Sequence, residues 1–293
     1  MTLLTPWLNE QLAAFEVEFD RYLASIDAPK NLKEAMRYSA LNGGKRLRPM
    51  LLIAAGHLSD ADAKILYPLG MAIEMIHAYS LIHDDLPAMD DDSLRRGKPT
   101  CHIQFDEATA ILAGDALLTE SFVILSHLEG ISDSAKIKLI QLFSHSAGAS
   151  GMVGGQMMDL EGEERKITSD ELVAIHRLKT GKLIKASILA GAIAGNAEEK
   201  TLMHLTEFAD NIGLAFQVKD DILDVTGTSE ELGKTAGKDL EQEKSTYVTL
   251  LGLEKATTIL DELIDKAFDN LNALGEKNAP LLNLTAYVVK RNY

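Results

Sequence analysis

Five aspartates crowd into nine positions between Asp84 and Asp92, at the end of an apolar run, and two arginines follow closely. Carboxylates this close raise each other's pKa unless a cation lies between them. Asp84, Asp85 and Asp90 are spaced DDxxxxD. Because Pro87 interrupts the helix there, the chain must bulge to bring Asp90 back beside Asp84. A metal cluster, a partner's basic surface and plain solvent all remain open as explanations.

A second acidic cluster lies in FQVKDDILDVTG, inside an otherwise apolar helix. Asp220, Asp221 and Asp224 stand at positions i, i+1 and i+4, with Gln217 one turn earlier. Asp220 and Asp224 therefore share a helix face and could hold one hard cation between them. Carboxylate ligands suit Mg²⁺, which completes its shell with waters and substrate phosphates. Two such runs on apolar helices favour metal binding over two solvated helix ends.

Two basic patches stand out against the acidic balance. The first is the motif GGKRLRP, predicted as a turn between helices, with the cations Lys45, Arg46 and Arg48. The second follows the first aspartates and contains Arg95, Arg96 and Lys98. Arginine forks match phosphate oxygens and lysine supplies a point charge, although either patch alone could be a solvated turn. Carboxylates that suit a metal and cations that suit phosphate together indicate a diphosphate site.

The overall composition limits the kinds of partner. The 293 residues include 29 Lys and Arg against 44 Asp and Glu, a formal net charge of −15. That field repels nucleic acid and anionic membranes, so a phosphate-bearing partner needs local cations or metal. Cys101 is the only cysteine, which excludes an intrachain disulfide and favours a reducing compartment. The start lacks a basic leader region, and residues 186–195 reach only half of the ~20 apolar residues that a span needs. We expect a cytoplasmic protein without a membrane span or a nucleic-acid partner.

Helical periodicity dominates the chain, and we find no sustained period-two alternation. Thr168 and Glu171 form a capping-box pattern before a helix. We expect one all-α domain over residues 1–293, with roughly ten or more helices. They are predicted over about residues 6–26, 29–42, from 49 onward, 60–87, 105–128, 135–162, 172–195, 197–225, 245–274 and 281–292.

Several ordered motifs resemble those of the short-chain trans-isoprenyl diphosphate synthases, over essentially the whole chain. They are GGKRLRP, DDLPAMD followed by RRG, GGQMMDL, HRLKTGKL, FQVKDDILD, LGKTAGKD and KSTY. Within that family the chain is most similar to the bacterial farnesyl diphosphate synthases. The resemblance implies a single polyprenyl synthase domain, with antiparallel helices around a deep central cavity, and a homodimer.

The resemblance also implies a reaction. Isopentenyl diphosphate would be joined head to tail (1'-4) to dimethylallyl and then geranyl diphosphate, giving (2E,6E)-farnesyl diphosphate and diphosphate. The steps would be Mg²⁺-assisted ionisation, condensation and elimination, with Mn²⁺ able to substitute for Mg²⁺.

Site roles follow from the same resemblance. The implied metal ligands are Asp84, Asp85, Asp90, Asp220, Asp221 and Asp224. The implied catalytic residues are Asp84, Asp85, Lys179, Gln217 and Asp220. The allylic diphosphate or its developing cation would contact Arg95, Lys179, Thr180, Gln217 and Lys234. Isopentenyl diphosphate would contact Lys45, Arg48, His77 and Arg96. Gln156 and Asp159 would support the cationic side chains near the mouth of the cavity.

Helix geometry bears on the roles of two further residues, Gly181 and Tyr79. Gly181, just after Lys179 and Thr180, would permit a helix distortion that frees backbone carbonyls to face a carbocation. Tyr79 stands five residues before Asp84, so its Cα lies roughly 7–8 Å deeper along the helix. A phenol ring there could form the floor of a cavity. The resemblance implies that Tyr79, with Ser80 after it, limits product length in this way, and ordinary core packing is the alternative.

Other functions stay open on the sequence. A geranylgeranyl diphosphate synthase would share almost every motif. An HD-type metal phosphohydrolase is suggested by His83-Asp84, but an upstream metal histidine is missing and a second aspartate motif is present. A terpene cyclase would carry a different second motif, and the intact aspartates argue against a non-catalytic subunit.

Overall fold

The computed structural model describes residues 4–163, 165–227 and 245–290. Within these ranges the chain is mainly helical, so the predicted all-α class is confirmed. The α-helices are α1 Pro6–Ser25, α2 Lys30–Ala40, α3 Leu47–Leu58, α4 Ala63–Asp84, α5 Cys101–Gln104, α6 Glu107–Ser126, α7 Asp133–Ala147, α8 Met152–Glu163, α9 Ser169–His176, α10 Lys182–Ala194, α11 Glu199–Thr226, α12 Tyr247–Leu251, α13 Leu253–Asn272 and α14 Ala279–Lys290. A π-turn, Arg177–Gly181, joins α9 to α10, and a 3₁₀ turn, Glu276–Asn278, precedes α14. Strands β1 Leu94–Arg95 and β2 Lys98–Pro99 pair as a short antiparallel hairpin.

Local signals in the sequence set several helix ends. Thr5 Oγ1 accepts a hydrogen bond from the Leu8 amide, with Pro6 at the first position of α1. Thr168 and Glu171 form the predicted capping box at the start of α9, each side chain bonding the other's backbone amide. Both caps satisfy amides that a helix start leaves without partners.

Three predicted helices are interrupted in the structure. The stretch 135–162 divides into α7 and α8, with a break over residues 148–151. The stretch 245–274 divides at Gly252, whose φ of +83° ends α12 and begins α13. The stretch 172–195 contains the π-turn. Periodicity carries across such breaks because the apolar positions resume on nearly the same face, and it therefore could not reveal them.

The apolar core forms two clusters, and the aspartate-bearing ends of α4 and α11 belong to different ones. The larger cluster surrounds α4 and draws on α1, α2, α3, α6, α7, α10, the first half of α11, and parts of α13 and α14. The smaller cluster lies among α9, α11, α12 and α13. Helices α3 and α10 touch backbone to backbone, since a Cβ on Gly191 would lie 2.1 Å from the Leu52 carbonyl oxygen. The packing thus places the end of α4 and the second half of α11 on opposite sides of one space.

Arg46 belongs to this scaffold and is not presented to solvent, so its predicted exposure on the basic turn is wrong. Its Nε donates to Glu16 at 2.6 Å and its Nη1 to Glu74 at 2.7 Å, and its guanidinium lies over the Phe19 ring. Burial acts to lower the pKa of Arg46, but the two carboxylates outweigh it and raise the pKa above its usual value. The buried pair joins α1, the start of α3 and α4.

Helices α4 and α6 are long and apolar enough to cross a membrane by length and composition. The most apolar window of α4 is 72% buried inside the fold, which accounts for its composition without a bilayer. The corresponding window of α6 is only 39% buried. One face of α6 is therefore apolar and is left uncovered by the residues that the structure describes.

We predict that Arg46→Met lowers the free energy of unfolding by about 3–5 kcal/mol, because Glu74 would stay buried without its cation. Equilibrium unfolding in urea measures this. Lys277→Ala, which removes an exposed ion pair with Asp60, is the matched control and should change stability little. Equal losses in the two variants would show that burial of the Arg46 pair does not matter.

Candidate active site

A polar cavity of about 510 Å³ opens between the end of α4, α8, the π-turn and α11. Both aspartate motifs reach it, although they were recognised separately in the sequence. Its polar lining includes Arg48, His77, Asp84, Asp90, Asp92, Arg95, Arg96, Asp159, Lys179, Thr180, Gln217, Asp220 and Asp221. Lys45, Asp85 and Asp224 do not line it, and Lys234 lies outside the described residues. The cavity gathers the acidic and basic groups that a metal-bound diphosphate needs.

The first aspartate motif bulges as predicted. Helix α4 ends at Asp84, and the Asp90 amide donates to the Asp84 carbonyl oxygen at 2.9 Å. This bond brings the two carboxylates to the same cavity wall. Burial raises the pKa of Asp84, the charges of Lys179 and Arg95 only partly oppose this, and the nearby Asp90 and Asp85 carboxylates add to the rise. A cation bound beside Asp84 would relieve that unfavourable charge.

Lys179 lies between two carboxylates. Its Nζ donates to Asp159 Oδ2 at 2.8 Å and lies 3.9 Å from Asp84 Oδ1. Burial acts to lower the pKa of Lys179, but Asp84 and Asp159 raise it above its usual value. Asp159 thus supports a cation, as expected. Gln156 instead donates from Nε2 to Asp84 Oδ1 at 2.6 Å, so it orients a carboxylate and not a cationic side chain.

Asp85 faces away from the cavity and holds Arg95. Arg95 Nε donates to both carboxylate oxygens, at 2.8 and 3.0 Å, and Nη2 donates to Oδ1 at 2.5 Å. One further residue along a helix turns the side chain by about 100°, which separates Asp85 from Asp84. Adjacent aspartates in the motif therefore differ in position: one lines the cavity and the other anchors an arginine that does.

In the second motif, Asp220 lines the cavity and Asp221 secures the chain beside it. Asp221 Oδ2 accepts a hydrogen bond from the Tyr247 amide at 2.7 Å and lies 3.7 Å from His176 Nε2. The His176 and Tyr247 rings stack, with centroids 5.7 Å apart. Asp224 is buried one turn further along α11, away from the cavity lining. Sequence spacing placed Asp220 and Asp224 on one face but could not show that the cavity ends between them.

The two basic patches meet at the polar cavity, which Arg48 and Arg96 both line. Arg96 Nη1 donates to the Gly43 carbonyl oxygen at 2.5 Å. Gly44 must lack a side chain there, since a Cβ would lie 2.4 Å from Arg96 Nη1 and its φ is +113°. This contact fastens the β1–β2 hairpin to the turn before α3.

Arg48 and His77 stand beside Arg96 in a positive, partly dry environment. Burial, and then Arg96, lower the pKa of Arg48 to about 10. Burial and the charges of Arg48 and Arg96 lower the pKa of His77 well below its usual value. The Nε of Arg48 is buried, and no hydrogen-bond partner is found for it among the described residues. The patch is thus suited to an incoming anion.

The π-turn presents Thr180 to Gln217. Thr180 Oγ1 donates to Gln217 Oε1 at 2.6 Å, which joins the π-turn to α11. The predicted helix distortion is confirmed, but Gly181 has ordinary helical angles of −60° and −39° and is not required for it. The demanding glycine is Gly155 of α8, where a Cβ would lie 2.3 Å from the Lys179 amide nitrogen. The GGQMM motif therefore lets α8 press directly on the π-turn.

A second, mainly apolar cavity of about 310 Å³ continues from the polar one. The two share Arg48, His77, Leu81, Asp84, Lys179 and Thr180. The remaining wall of the apolar cavity consists of Tyr79, Ser80, His83, Met89, Met152, Val153, Gln156, Met157, Leu160 and Leu183. A ligand with a charged head in the first cavity could extend an apolar tail into the second.

Comparison with known proteins agrees with this arrangement. A model of the family "Polyprenyl synthetase" matches residues 29–278. The chain is 45% identical over 289 residues to the farnesyl diphosphate synthase of Geobacillus stearothermophilus, covering 98% of this chain and 97% of that one. The chain belongs to the polyprenyl synthetase family. It is also 43% identical over 266 residues to a geranylgeranyl diphosphate synthase of Cyanophora paradoxa, covering 90% and 89% of the two chains.

A solved polyprenyl synthetase relative is similar over almost the whole fold. The Helicobacter pylori geranyltransferase complexed with magnesium and isoprenyl diphosphate has a TM-score of 0.82 and 35% identity, over 99% of this chain and 98% of that one. The arrangement of helices is therefore that of the family.

The carboxylates of this polyprenyl synthetase fit Mg²⁺ that is shared with a substrate. In the part of the chain that the structure describes, no three acidic, histidine or cysteine side chains lie close enough to enclose one ion. Asp84 and Asp90 lie on one wall and Asp220 on the other. Because Mg²⁺ accepts one or two carboxylates with waters and phosphate oxygens, this open donor set suits ions that a diphosphate completes.

We predict that Gly155→Ala lowers kcat by up to about 100-fold, because its Cβ would push the Lys179 backbone away from Asp84. Steady-state kinetics together with thermal unfolding separate this from loss of the fold. Gly181→Ala is the matched control, since its Cβ would meet the His176 carbonyl oxygen at an ordinary 3.5 Å. A Gly155 variant with unchanged kcat would mean that the α8 contact does not position the π-turn.

Proposed function

We propose that this chain is a farnesyl diphosphate synthase, which condenses isopentenyl diphosphate with dimethylallyl and then geranyl diphosphate. The observation that carries the proposal is the pair of joined cavities, one charged and one apolar, with both aspartate motifs at the charged end. Relatives that carry this name match nearly the whole chain.

The allylic diphosphate binds between the aspartate motifs. Asp84 at the end of α4, Asp90 in the turn that follows it and Asp220 on α11 would hold Mg²⁺ or Mn²⁺. When bound, the metal would supply positive charge that neutralises the diphosphate and makes it a better leaving group. Lys179 and Arg95 add two fixed cations, kept in place by Asp159 and by Asp85. Lys234 is proposed to add a third.

Ionisation breaks the allylic C–O bond, and the diphosphate leaves with the electron pair. The carbocation then lies beside Gln217 Oε1 and the carbonyls of the π-turn, which present negative dipoles without a nucleophile. The Thr180 hydroxyl keeps Gln217 Oε1 oriented by donating to it. The apolar cavity excludes water, which would otherwise react with the carbocation to give an alcohol.

Isopentenyl diphosphate binds to the basic patch of Arg48, Arg96, His77 and Lys45. Its double bond attacks the allylic carbon, a new carbon–carbon bond forms, and a proton is lost to the departed diphosphate. The product keeps the diphosphate of isopentenyl diphosphate, so it must move to the aspartate side before a second round. The tail then extends toward Tyr79 and Ser80.

The other aspartates are proposed to act through neighbours. Asp85 positions Arg95, and Asp221 fixes the start of α12 next to the second motif. Asp224 has no proposed contact with the diphosphate, because it is buried beyond the cavity lining. Of the six carboxylates that the resemblance implies as metal ligands, we therefore propose three as direct ligands. They are Asp84, Asp90 and Asp220.

The chain is proposed to act as a single-domain, cytoplasmic homodimer. The site needs both core clusters, since each carries one aspartate motif. The uncovered face of α6 exposes Ile111, Leu112 and Val123, at 43, 57 and 39%, and a second copy would bury it. The net charge of −15 argues against nucleic acid as a partner.

An HD-type phosphohydrolase is not favoured. His83, which would be its metal histidine, lies 3.1 Å from the Ile111 carbonyl oxygen through Nε2 and does not line the polar cavity. A hydrolase would also release phosphate without making a carbon–carbon bond.

The decisive experiment is product analysis with labelled isopentenyl diphosphate and either dimethylallyl or geranyl diphosphate. We expect labelled farnesyl diphosphate from both primers, and no product in excess chelator. Geranylgeranyl diphosphate as the main product would assign the longer-chain alternative. Phosphate release without a labelled prenyl product would refute a prenyltransferase.

The two cation groups should separate by substrate. Arg96→Ala should raise the KM for isopentenyl diphosphate by about 10–100-fold, the loss typical of a charge-assisted hydrogen bond. Lys179→Ala should instead raise the KM for the allylic substrate and lower kcat. Steady-state kinetics with each substrate varied in turn distinguishes them. Equal effects of both variants on both substrates would contradict two separate subsites.

Tyr79→Ala should lengthen the product. Its ring is buried in the wall of the apolar cavity, and its loss opens room for at least one more isoprene unit. We expect geranylgeranyl or longer diphosphates, with unchanged Mg²⁺ dependence, by chromatography of the dephosphorylated products. An active variant that still stops at farnesyl would show that Tyr79 is not the floor.

A further inference from the structure

His83 lines the apolar cavity, yet the proposed chemistry gives it no role. It stands one helical turn after Tyr79 on α4. The two rings meet edge to face, with centroids 5.5 Å apart and planes at 89°. The Tyr79 ring is therefore supported on one side by the His83 imidazole.

Helix α6 holds the imidazole from the other side. His83 Nε2 lies 3.1 Å from the Ile111 carbonyl oxygen, which can only accept, so Nε2 carries the hydrogen and donates it. A Cβ at Gly114 would lie only 2.2 Å from His83 Nε2. The imidazole thus occupies the space that a side chain at Gly114 would fill.

We propose that His83, seated against Gly114, is a specificity-determining residue that sets product length together with Tyr79. The imidazole forms the side wall of the apolar cavity and prevents the Tyr79 ring from rotating toward α6. This inference rests on the proposed function, because it needs a growing prenyl chain in that cavity. It does not require that the normal product be farnesyl diphosphate.

The geometry predicts that substitutions of His83 on α4 and of Gly114 on α6 change product length in opposite directions. His83→Ala removes both the side wall and the support of Tyr79, so the cavity deepens and the products lengthen. Gly114→Ala forces the imidazole off α6. With α6 behind it, the ring is displaced toward the cavity, which shortens the space and stops more chains at geranyl diphosphate.

The experiment compares product distributions of the wild type, His83→Ala, Gly114→Ala, His83→Gln and His83→Asn, from labelled isopentenyl diphosphate and dimethylallyl diphosphate. The two amides differ in length by one methylene. Gln can place its amide nitrogen near the position of Nε2 and keep the bond to the Ile111 carbonyl, whereas Asn cannot reach it. Thr119→Ala, on the exposed side of α6, is the control for substitutions on that helix.

We expect several-fold more of the products beyond the wild-type length from His83→Ala and His83→Asn, and wild-type lengths from His83→Gln and Thr119→Ala. Gly114→Ala should give several-fold more geranyl diphosphate. A merely structural role would lower the yield of all products without changing their lengths. That result, or a lengthened product from His83→Gln equal to that from His83→Ala, would overturn the proposal.

The product of the wild type in the same assay distinguishes a failure of the proposed function from a failure of this inference. If it makes geranylgeranyl diphosphate, the proposed product is wrong, but shifts in length relative to that product still test His83. If it makes farnesyl diphosphate and no variant changes its length, the proposed function stands and this inference fails. Gly114→Ala protein that does not fold leaves the three His83 variants to decide.

Discussion

Repulsion between carboxylates across a partly dry cavity is the constraint on which the arrangement of this protein depends. Asp84, Asp90 and Asp220 face one cavity, and burial leaves the charge of Asp84 poorly screened. The fold tolerates this by placing Lys179 beside Asp84 and Arg95 close behind. Neither cation is free to neutralise the aspartates fully, because Asp159 and Asp85 hold them. The remaining negative potential attracts divalent cations, and the basic patch with Arg48 and Arg96 attracts the diphosphate.

Rigidity around this charge pattern comes from close contacts between backbones. Gly191 lets α10 meet α3, and Gly155 lets α8 meet the π-turn. Arg46 ties three helices near the first basic patch through two carboxylates, the half-buried Glu16 and the buried Glu74. A site whose charged groups must not collapse onto each other needs walls that do not yield, and interlocked backbones supply them.

The parts of the structure that depend on local chemistry were predictable from the sequence. The capping box at Thr168 and the bulge that returns Asp90 to Asp84 both follow from neighbouring residues. The parts that depend on distant contacts were not. Arg46 and Asp85 look like their neighbours in the sequence, and only the helices packed against them decide that one is buried and the other turned to Arg95. Likewise, nothing in the sequence near His83 shows that it rests on Gly114.

The π-turn has a consequence for how such a site can change over generations. A turn closed between residues i and i+5 accommodates one residue more than an α-helical turn of the same span. Deleting a single residue between His176 and Lys182 would therefore restore a regular helix while leaving the packed ends in place. It would also turn Lys179 and Thr180 by about 100° relative to one of those ends. The site is thus more vulnerable to the deletion of one residue there than to most substitutions. The positions of Lys179 and Thr180 depend on the number of residues in the π-turn.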